Sequence, residues 1–304
     1  MRFLSKSIEC WHGINHSPKY YPFEECKKVL IPFNLIFEKK VSINYVQALK
    51  TKGIKIMVDS GAANYYLNST KEYPEGYLQE YLAFLEKVQP EFAFALDFCF
   101  EKRKFRNHKK LVENFHSQRN SIMLARSRGI TLRPVVQGWN RESYQESARE
   151  VKKLLELFGI DRFGIGSICR AKEQYIINVL RWTGDYLNLI FAHGFGQTQR
   201  TIPILRMFAL ASLDTSNAAS NAGNHCYNDP YGNWFVSPNS KQSNKRHGWT
   251  ATQFNSRKEF YQFLFRLNRE SLDFACNKVP FDWIHPVHGN RLDRYFSKEV
   301  TSYA

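Results

Sequence analysis

Three aspartates, each at the end of a short apolar run, constrain the fold of this chain most. They are Asp59, Asp97 and Asp214. An apolar run that ends in a carboxylate and continues into small residues is typical of the C-terminal end of a parallel strand, which in a (β/α) barrel faces the active site. Because an unpaired buried carboxylate costs free energy, packing alone does not explain three of them. We therefore predict that they meet at one edge of a parallel sheet and act on a centre that becomes electron-poor.

Strand-like and helix-like segments alternate along most of the chain. The apolar runs with the length of strands are 29–33, 54–59, 92–97, 131–137, 163–168, 189–193 and 208–214, with 3–8 as a candidate eighth. The stretches with helical spacing of apolar residues are 77–88, 110–128, 141–158, 171–182 and 256–276. Asn140 is the expected N-cap of the third helix, and Gly159 is expected to end it. The alternation predicts an α/β fold, a (β/α)8 TIM-type barrel in one domain over residues 1–304, with an irregular insertion at 217–255 after the last strand.

The charge of the chain predicts a polyanionic partner. Lys and Arg number 43 against 28 Asp and Glu, a formal net charge of +15. The densest basic stretch follows Asp97 directly, and we predict that it binds the phosphates of a nucleic acid through Lys102, Arg103, Lys104 and Arg106. A solvated surface is the alternative for any single basic cluster, including the second one at 241–247.

The remaining composition narrows the class of protein. The chain has no run of about eighteen apolar residues, so we expect no membrane partner. Its N-terminus shows neither the apolar region nor the cleavage site of a secretory signal. Six scattered cysteines favour reduced thiols over a disulfide framework, and we expect a cytoplasmic location.

Six short motifs follow one another at the predicted strand ends. In chain order they are Asp59-Ser60-Gly61-Ala62, Asp97, Val136-Gln137-Gly138, the glycine pair Gly164-Ile165-Gly166, Gly194-Phe195-Gly196 and Asp214-Thr215-Ser216. No single motif is specific, but the ordered set over residues 54–216 resembles the tRNA-guanine transglycosylase superfamily. The stretches 164–170, 193–196 and 212–215 are most similar to the DpdA-type DNA-guanine transglycosylases of phages and bacterial islands.

The resemblance implies an enzyme, a pentosyltransferase that replaces guanine in DNA with a 7-deazaguanine precursor such as 7-cyano-7-deazaguanine. It implies that Asp214 is the nucleophile of a covalent glycosyl intermediate and that Asp59 manages the protons of the exchanging bases. This is the chemical logic of retaining glycosidases. The residues implied to bind the base are Ser60, Asp97, Gln137, Gly166, Ser167, His193 and Phe195. It further implies a cytoplasmic setting in a bacterium or a phage-infected host, with partner proteins that open the duplex as a further expectation.

The chain departs from the tRNA enzymes in two respects. Those enzymes hold a structural zinc with a Cys-x-Cys-x-x-Cys cluster and a later His, whereas the corresponding region here has His225, Cys226, His247, Cys276, His285 and His288 at other spacings. We therefore expect no metal and no required cofactor, with a zinc site made from four of these residues as the less favoured alternative. The position at which the family stacks an aromatic ring on the base is Ala63, which leaves Tyr65 or Tyr66 for that contact.

Other functions remain open from the sequence. A tRNA substrate keeps the same chemistry, and a hydrolytic base glycosylase keeps the nucleophile but uses water. A non-catalytic nucleic-acid-binding subunit is a third alternative, although such a protein needs neither Asp59 nor Asp214. Each candidate residue also has an ordinary structural role: the aspartates as helix caps or surface ion pairs, Gln137 and His193 as core polar groups, and the glycines in tight turns.

Overall fold

The chain forms an α/β fold in a computed structural model, which describes residues 7–14, 18–69, 72–169, 171–229, 234–236 and 251–277. Within these ranges, eight strands form one curled sheet in which all pairs are parallel. The strands are β1 (Glu9–Gly13), β2 (Lys28–Pro32), β3 (Lys55–Asp59), β4 (Phe92–Ala93), β5 (Val135–Val136), β6 (Phe163–Ile165), β7 (Ala192–Gly194) and β8 (Ser212–Thr215). Their order is β4-β3-β2-β1-β8-β7-β6-β5. The predicted parallel α/β class is thus confirmed.

Helices connect the strands. They are α1 (Phe33–Phe37), α2 (Ile43–Thr51), α3 (Tyr77–Val88), α4 (His108–Arg126), α5 (Arg141–Phe158), α6 (Glu173–Gly184), α7 (Ile202–Met207), α8 (Asn217–Gly223) and α9 (Arg257–Asn277). The predicted caps of α5 are confirmed: the Asn140 side chain accepts a hydrogen bond from the Ser143 amide, and Gly159 ends the helix at φ 61°. No helix in the described part of the chain combines the length and apolar character needed to cross a membrane.

The first described strand begins after the segment predicted at the N-terminus. The candidate strand was 3–8, of which residues 3–6 lie outside the described ranges; residues 7 and 8 are not in a strand, and β1 begins at Glu9. Polar residues alternate with Trp11 along β1, because the two faces of this strand pack against different parts of the protein. Trp11 contacts the apolar cluster of the inner face, whereas Cys10 belongs to the core under the helices.

Several of the other strands are shorter than their apolar runs, whereas β2 has the predicted length and begins one residue earlier. The prediction of 92–97 reduces to Phe92–Ala93, and that of 131–137 reduces to Val135–Val136. The predicted strand at 189–193 begins as a 3-10 turn, Leu189–Phe191, and β7 follows it. Asp97 therefore lies beyond the last paired residue of its strand, in the loop, where its side chain has room to approach neighbouring strands.

Two apolar clusters cover the two faces of the sheet. Alternate residues such as Ile56 and Val58 belong to the large core shared with the helices. Met57, between them, belongs to a small cluster with residues from other strands, Trp11, Leu30, Phe94 and Val135. Strand side chains alternate between faces, so the small cluster fills the inner side of the curl.

The first part of the region after β8 contains more secondary structure than predicted. The segment 217–255 was expected to be irregular, but α8 occupies its first residues and an antiparallel pair, β9 (Cys226–Asn228) and β10 (Trp234–Val236), follows. Residues 230–233 and 237–250 lie outside the described ranges. The helix α9 then packs against α8 and β1.

Candidate active site

The three predicted aspartates line one cavity. Its volume is about 140 Å³, and Asp59, Asp97 and Asp214 all contribute to its wall. Asp97 is 5% and Asp214 8% exposed. The carboxyl ends of neighbouring parallel strands meet at one edge of the sheet, which is the physical basis of the prediction. Their convergence was predicted correctly.

Asp214 is held by two hydrogen bonds to one of its carboxylate oxygens. Its Oδ1 accepts from the Gly196 amide at 2.9 Å and lies 3.2 Å from His193 Nε2. His193 Nδ1 lies 2.9 Å from the Ser212 hydroxyl, so the contacts fit the tautomer with a proton on Nε2. The second carboxylate oxygen is left for the cavity. Among the described residues, His193 contacts Asp214 and the Phe195 ring but is not part of the cavity wall, so it orients the carboxylate rather than lining the predicted base pocket.

Asp59 has a pKa suited to proton transfer at neutral pH. Burial is the main cause, and the negative charges of Asp214 and Asp97 add to it, while a hydrogen bond from the Gly61 amide at 2.7 Å opposes it. Together these raise the pKa of Asp59 to about 7. A carboxyl group with such a pKa exists in both protonation states near pH 7, which is the property of an efficient general acid and base.

A chain of hydrogen bonds fixes the predicted base-binding residues. The Ser60 hydroxyl donates to Asp97 Oδ1 at 2.6 Å, and the Gln137 amide donates to Asp97 Oδ2. Ser167 then donates to Gln137 Oε1 at 2.5 Å. All four side chains are buried, and burial raises the pKa of Asp97 while the bonds from Ser60 and Gln137 oppose that rise. A fully bonded network of this kind holds Asp97 in one orientation towards the cavity.

The glycine that precedes Ser167 is required by this network. A Cβ on Gly166 would overlap the Gln137 side chain, so only glycine lets that side chain reach Asp97. Ser167 itself has φ 53°, a left-handed conformation, and its hydroxyl also accepts from the Phe100 amide at 2.8 Å. The local backbone is therefore shaped around the Gln137–Ser167 contact.

Three residues at this site were missed by the sequence analysis. Tyr73 donates to the Asp97 carbonyl at 2.8 Å and lies 3.0 Å from the Ser60 hydroxyl, and Tyr77 donates to the Ser60 carbonyl at 2.8 Å. Glu101 is partly buried beside Ser167, and this burial raises its pKa. Its Oε1 has no hydrogen-bond partner among the described residues. The one feature of the sequence that points to Glu101 is its position as an acidic residue between Asp97 and the basic run.

The aromatic residue that lines the cavity is Phe195. The alternatives named from the sequence, Tyr65 and Tyr66, are both buried in a neighbouring aromatic cluster. Tyr66 stacks on Phe98 with ring centroids 4.6 Å apart, and Tyr65 packs against Tyr73. Neither tyrosine belongs to the cavity wall as the structure describes it, so Phe195 is better placed than either of them to contact a base in this cavity.

The predicted phosphate-binding residues lie on the loop that continues from Asp97. Phe105 is buried against Tyr66 and anchors this loop, while Arg103, Lys104 and Arg106 are exposed. Arg106 donates to the carbonyls of Phe100 and Glu101 at 2.9 and 2.6 Å. In the described part of the chain, Lys102 and Arg103 make no ion pair. The loop therefore presents basic side chains beside the cavity, which is the placement expected for phosphate contacts.

Of the residues after Asp214 that were considered for zinc, the described ones, His225, Cys226 and Cys276, form no metal-binding cluster. His225 lies 3.3 Å from the Tyr261 hydroxyl, and the Cys226 thiol lies 3.1 Å from the Asn224 carbonyl oxygen. His247, His285 and His288 lie outside the described residues. A different set of three, described below, is the cluster with metal-binding potential in the described ranges.

Comparisons with known proteins add no assignment. No protein-family model matches the chain, and a search of curated proteins finds no match. The function is therefore inferred from the cavity itself. An oriented carboxylate, an acid with a pKa near neutrality and a fixed polar network can together cleave a glycosidic bond and recognise the departing group.

Proposed function

We propose that this protein is a base-exchanging transglycosylase, which replaces guanine in DNA with a 7-deazaguanine precursor such as 7-cyano-7-deazaguanine. The observation on which the proposal rests is the shared cavity. Its wall holds Asp214, with one oxygen fixed and one available, and Asp59, with its pKa near 7. The two carboxyl groups have distinct environments, and such a difference separates the roles of nucleophile and acid.

In the first half-reaction, the Asp214 carboxylate forms a bond to C1′ of the target deoxyguanosine. The bond from C1′ to N9 breaks, and its electron pair leaves with guanine. Protonated Asp59 donates its proton to the departing base, which therefore leaves as neutral guanine. The positive charge that develops on the sugar is stabilised by the carboxylate, as in retaining glycosidases.

The second half-reaction reverses these steps with the new base. The 7-deazaguanine precursor enters the cavity, and ionised Asp59 accepts the proton from its N9. The nitrogen then attacks C1′ and displaces Asp214, which regains its negative charge. No net proton is consumed in the full cycle, so a single group with a pKa near 7 serves both halves.

Asp97 is the residue proposed to recognise the base. Guanine and its 7-deaza analogues present neighbouring N–H donors on their Watson–Crick edge, and a carboxylate accepts hydrogen bonds from both. The bonds from Ser60 and Gln137 leave further lone pairs on its two oxygens. The Phe195 ring provides an apolar surface for the flat base in the same cavity.

The proposed scaffold is a closed (β/α)8 barrel. The sheet edges β4 and β5 are joined beyond their assigned bounds, where Phe94 and Arg133 form a parallel bridge. The Ala95 amide donates to the Arg133 carbonyl, and the Arg133 amide donates to the Ala93 carbonyl, each at 2.9 Å. These bonds support closure and bring the Asp97 loop next to Gln137.

DNA is favoured as the polymer over tRNA. The motif wording is closer to the DNA-modifying branch, and the chain lacks the cysteine cluster of the tRNA enzymes. C1′ of a stacked nucleotide is inaccessible, so the target base is flipped out or presented in a single strand. Nucleic acid then lies along the exposed basic side chains of the Asp97 loop.

One experiment separates this function from its alternatives. The protein is incubated with DNA or tRNA that contains labelled guanine, with and without the deazaguanine base, and guanine release is measured. Multiple-turnover release from DNA that depends on the added base supports the proposal. Base-dependent turnover with tRNA alone points to the tRNA enzyme, multiple-turnover release without added base to a glycosylase, and no release from either polymer contradicts catalysis.

The first prediction concerns recognition of the base. Asp97→Asn replaces an acceptor with an amide donor that faces the donors of guanine and of Gln137. We expect base exchange to fall by about 30- to 1,000-fold, equivalent to about 2–4 kcal/mol of transition-state binding. Steady-state rates with saturating DNA measure this loss, and an unchanged melting temperature separates it from misfolding. Exchange at the wild-type rate would show that Asp97 does not contact the base.

The second prediction concerns phosphate binding. Reversal of Lys102, Arg103 and Lys104 to Glu should weaken DNA binding and reduce the slope of log affinity against log salt by about one for each phosphate that the variant no longer binds. A matched control reverses three exposed lysines elsewhere on the surface, Lys52, Lys55 and Lys87, which gives the same change in net charge. Equal effects of the two triple variants would mean that only the overall charge matters.

A further inference from the structure

Three residues that have no part in the proposed reaction converge between β1 and α9. Cys10 and His12 alternate on β1, so they share the face that packs against the helix, and Asp273 lies on α9. One ligand atom from each residue lies within 4.8 Å of the others. Cys10 and His12 are buried, and Asp273 is half-exposed. Asp214 occupies the opposite face of the sheet, so this cluster is separate from the candidate active site.

A buried ring nitrogen in this cluster lacks a partner. His12 is 3% exposed, and its Nε2 lies 3.2 Å from Asp273 Oδ1. Its Nδ1 has no hydrogen-bond partner in the described ranges. The nitrogen that can bind a metal together with Asp273 is Nε2, because it faces the Asp273 carboxylate. A metal at Nε2 fixes the ring proton on Nδ1.

The donor set favours zinc. A thiolate, an imidazole and a carboxylate are the ligands that Zn²⁺ takes at about 2.0–2.3 Å, which places tetrahedral ligand atoms roughly 3.3–3.8 Å apart. The ligand atoms lie within 4.8 Å of one another, so zinc binding requires them to approach by up to about 1.5 Å. The buried Cys276 thiol, next to Cys10, is a further sulfur beside the cluster.

A cavity gives an ion access to the cluster. Its volume is about 380 Å³, and Cys10, His12 and Asp273 lie in its wall together with Lys27 and Lys28. The charge of Lys28 is paired with Glu9 at 2.9 Å, which limits its repulsion of a cation. The half-exposed Asp273 carboxylate lies at the entrance, where it can meet an incoming ion first.

We propose that Cys10, His12 and Asp273 bind a structural zinc ion that ties α9 to β1. The expectation from the sequence was that the protein needs no metal, and Cys10, His12 and Asp273 were not among the residues considered there. Bound zinc replaces the weak contact between His12 and Asp273 with metal–ligand bonds. The strand β1 pairs with β8, with Trp11 opposite Asp214. A metal link between α9 and β1 therefore also stabilises the position of β8, the strand that holds the proposed nucleophile.

The test is a metal titration of the whole protein. The chain is purified in a reductant that does not chelate metals, stripped of metal, and titrated with Co²⁺ as a spectroscopic substitute for Zn²⁺. We expect about one equivalent to bind, with visible bands of tetrahedral cobalt and a thiolate-to-cobalt charge-transfer band, and Zn²⁺ to displace it. Zn²⁺ should also raise the melting temperature of the stripped protein.

Three variants decide the assignment. Cys10→Ser should lose the charge-transfer band, and His12→Ala should weaken binding by at least about 100-fold. Asp273→Asn should keep the band but weaken binding, and because Asp273 is half-exposed this variant is the least prone to misfolding. The control Cys99→Ser removes a buried thiol from the candidate active-site cavity, and it should bind cobalt as the wild type does. Wild-type affinity in Asp273→Asn, or no tetrahedral cobalt spectrum in the wild type, would overturn the proposal.

Discussion

Asp214→Asn and Asp214→Ala should each abolish base exchange, with losses on the order of 10⁴-fold or more, as for other enzymic nucleophiles. The asparagine variant is the sharper one. Its side-chain oxygen can still accept hydrogen bonds from the Gly196 amide and His193, so the local structure is preserved while the nucleophilic charge is removed. DNA affinity should change little in either variant, since phosphate contacts supply most of it.

A trapped intermediate gives the positive evidence. Wild-type protein incubated with DNA in the absence of an incoming base should accumulate a covalent adduct that survives denaturing electrophoresis and maps to Asp214 by mass spectrometry. Asp214→Asn should form none. His193→Leu serves as a comparison, because an apolar side chain removes this orienting hydrogen bond and should slow adduct formation without preventing it. Full activity in Asp214→Ala would exclude the transglycosylase function.

The sequence predicted best the elements with strong local determinants. The bounds of α3 and α5 agree with the prediction, because each has long helical periodicity and α5 also has an Asn140 cap and a left-handed Gly159. Short helices such as α1 and α7 contain too few residues for a period to emerge. Strand ends were extended too far, since apolar residues continue past the last backbone pair.

The strand β1 shows why a local sequence pattern fails where a strand buries polar side chains. Its Cys10 and His12 are polar residues in a buried strand, so no apolar run marks it. The cause lies on α9, more than 200 residues away in the chain, where Asp273 faces His12. A contact with that separation cannot be read from the neighbouring sequence.

The convergence of the three aspartates could be predicted from a general rule, but the residues that form hydrogen bonds with them could not. Parallel strands place their carboxyl ends at one edge, so three strand-end carboxylates must be neighbours. The orienting role of His193 depends instead on the register of β7 with β8, which pairs it with Ser212. The Tyr73 hydroxyl contacts the hydroxyl of Ser60, which precedes it in the chain, and no spacing rule predicts that contact.

Asp59→Asn should slow guanine release by about 10²- to 10⁴-fold, the usual contribution of a general acid. The departing base needs a proton, and Asp59 can donate one only below its pKa of about 7. The single-turnover rate of guanine release by the wild type should therefore decline about tenfold for each pH unit above 7, whereas the variant should be slow and insensitive to pH. A wild-type profile that is flat from pH 6 to about 9 would remove Asp59 from this role.

The chemistry of the leaving group separates Asp59 from Asp214. A 7-methylguanine in DNA already carries a positive charge and departs as a neutral base without protonation, so Asp59→Asn should recover much of its rate with this substrate. Asp214→Asn should remain inactive on both substrates after spontaneous base release is subtracted. The two carboxylates in the cavity would thus be distinguished by their roles. Asp214 forms the bond to C1′, and Asp59 transfers a proton to N9 or N7 of the base. Equal recovery of both variants with 7-methylguanine would show that neither carboxylate has the role assigned to it.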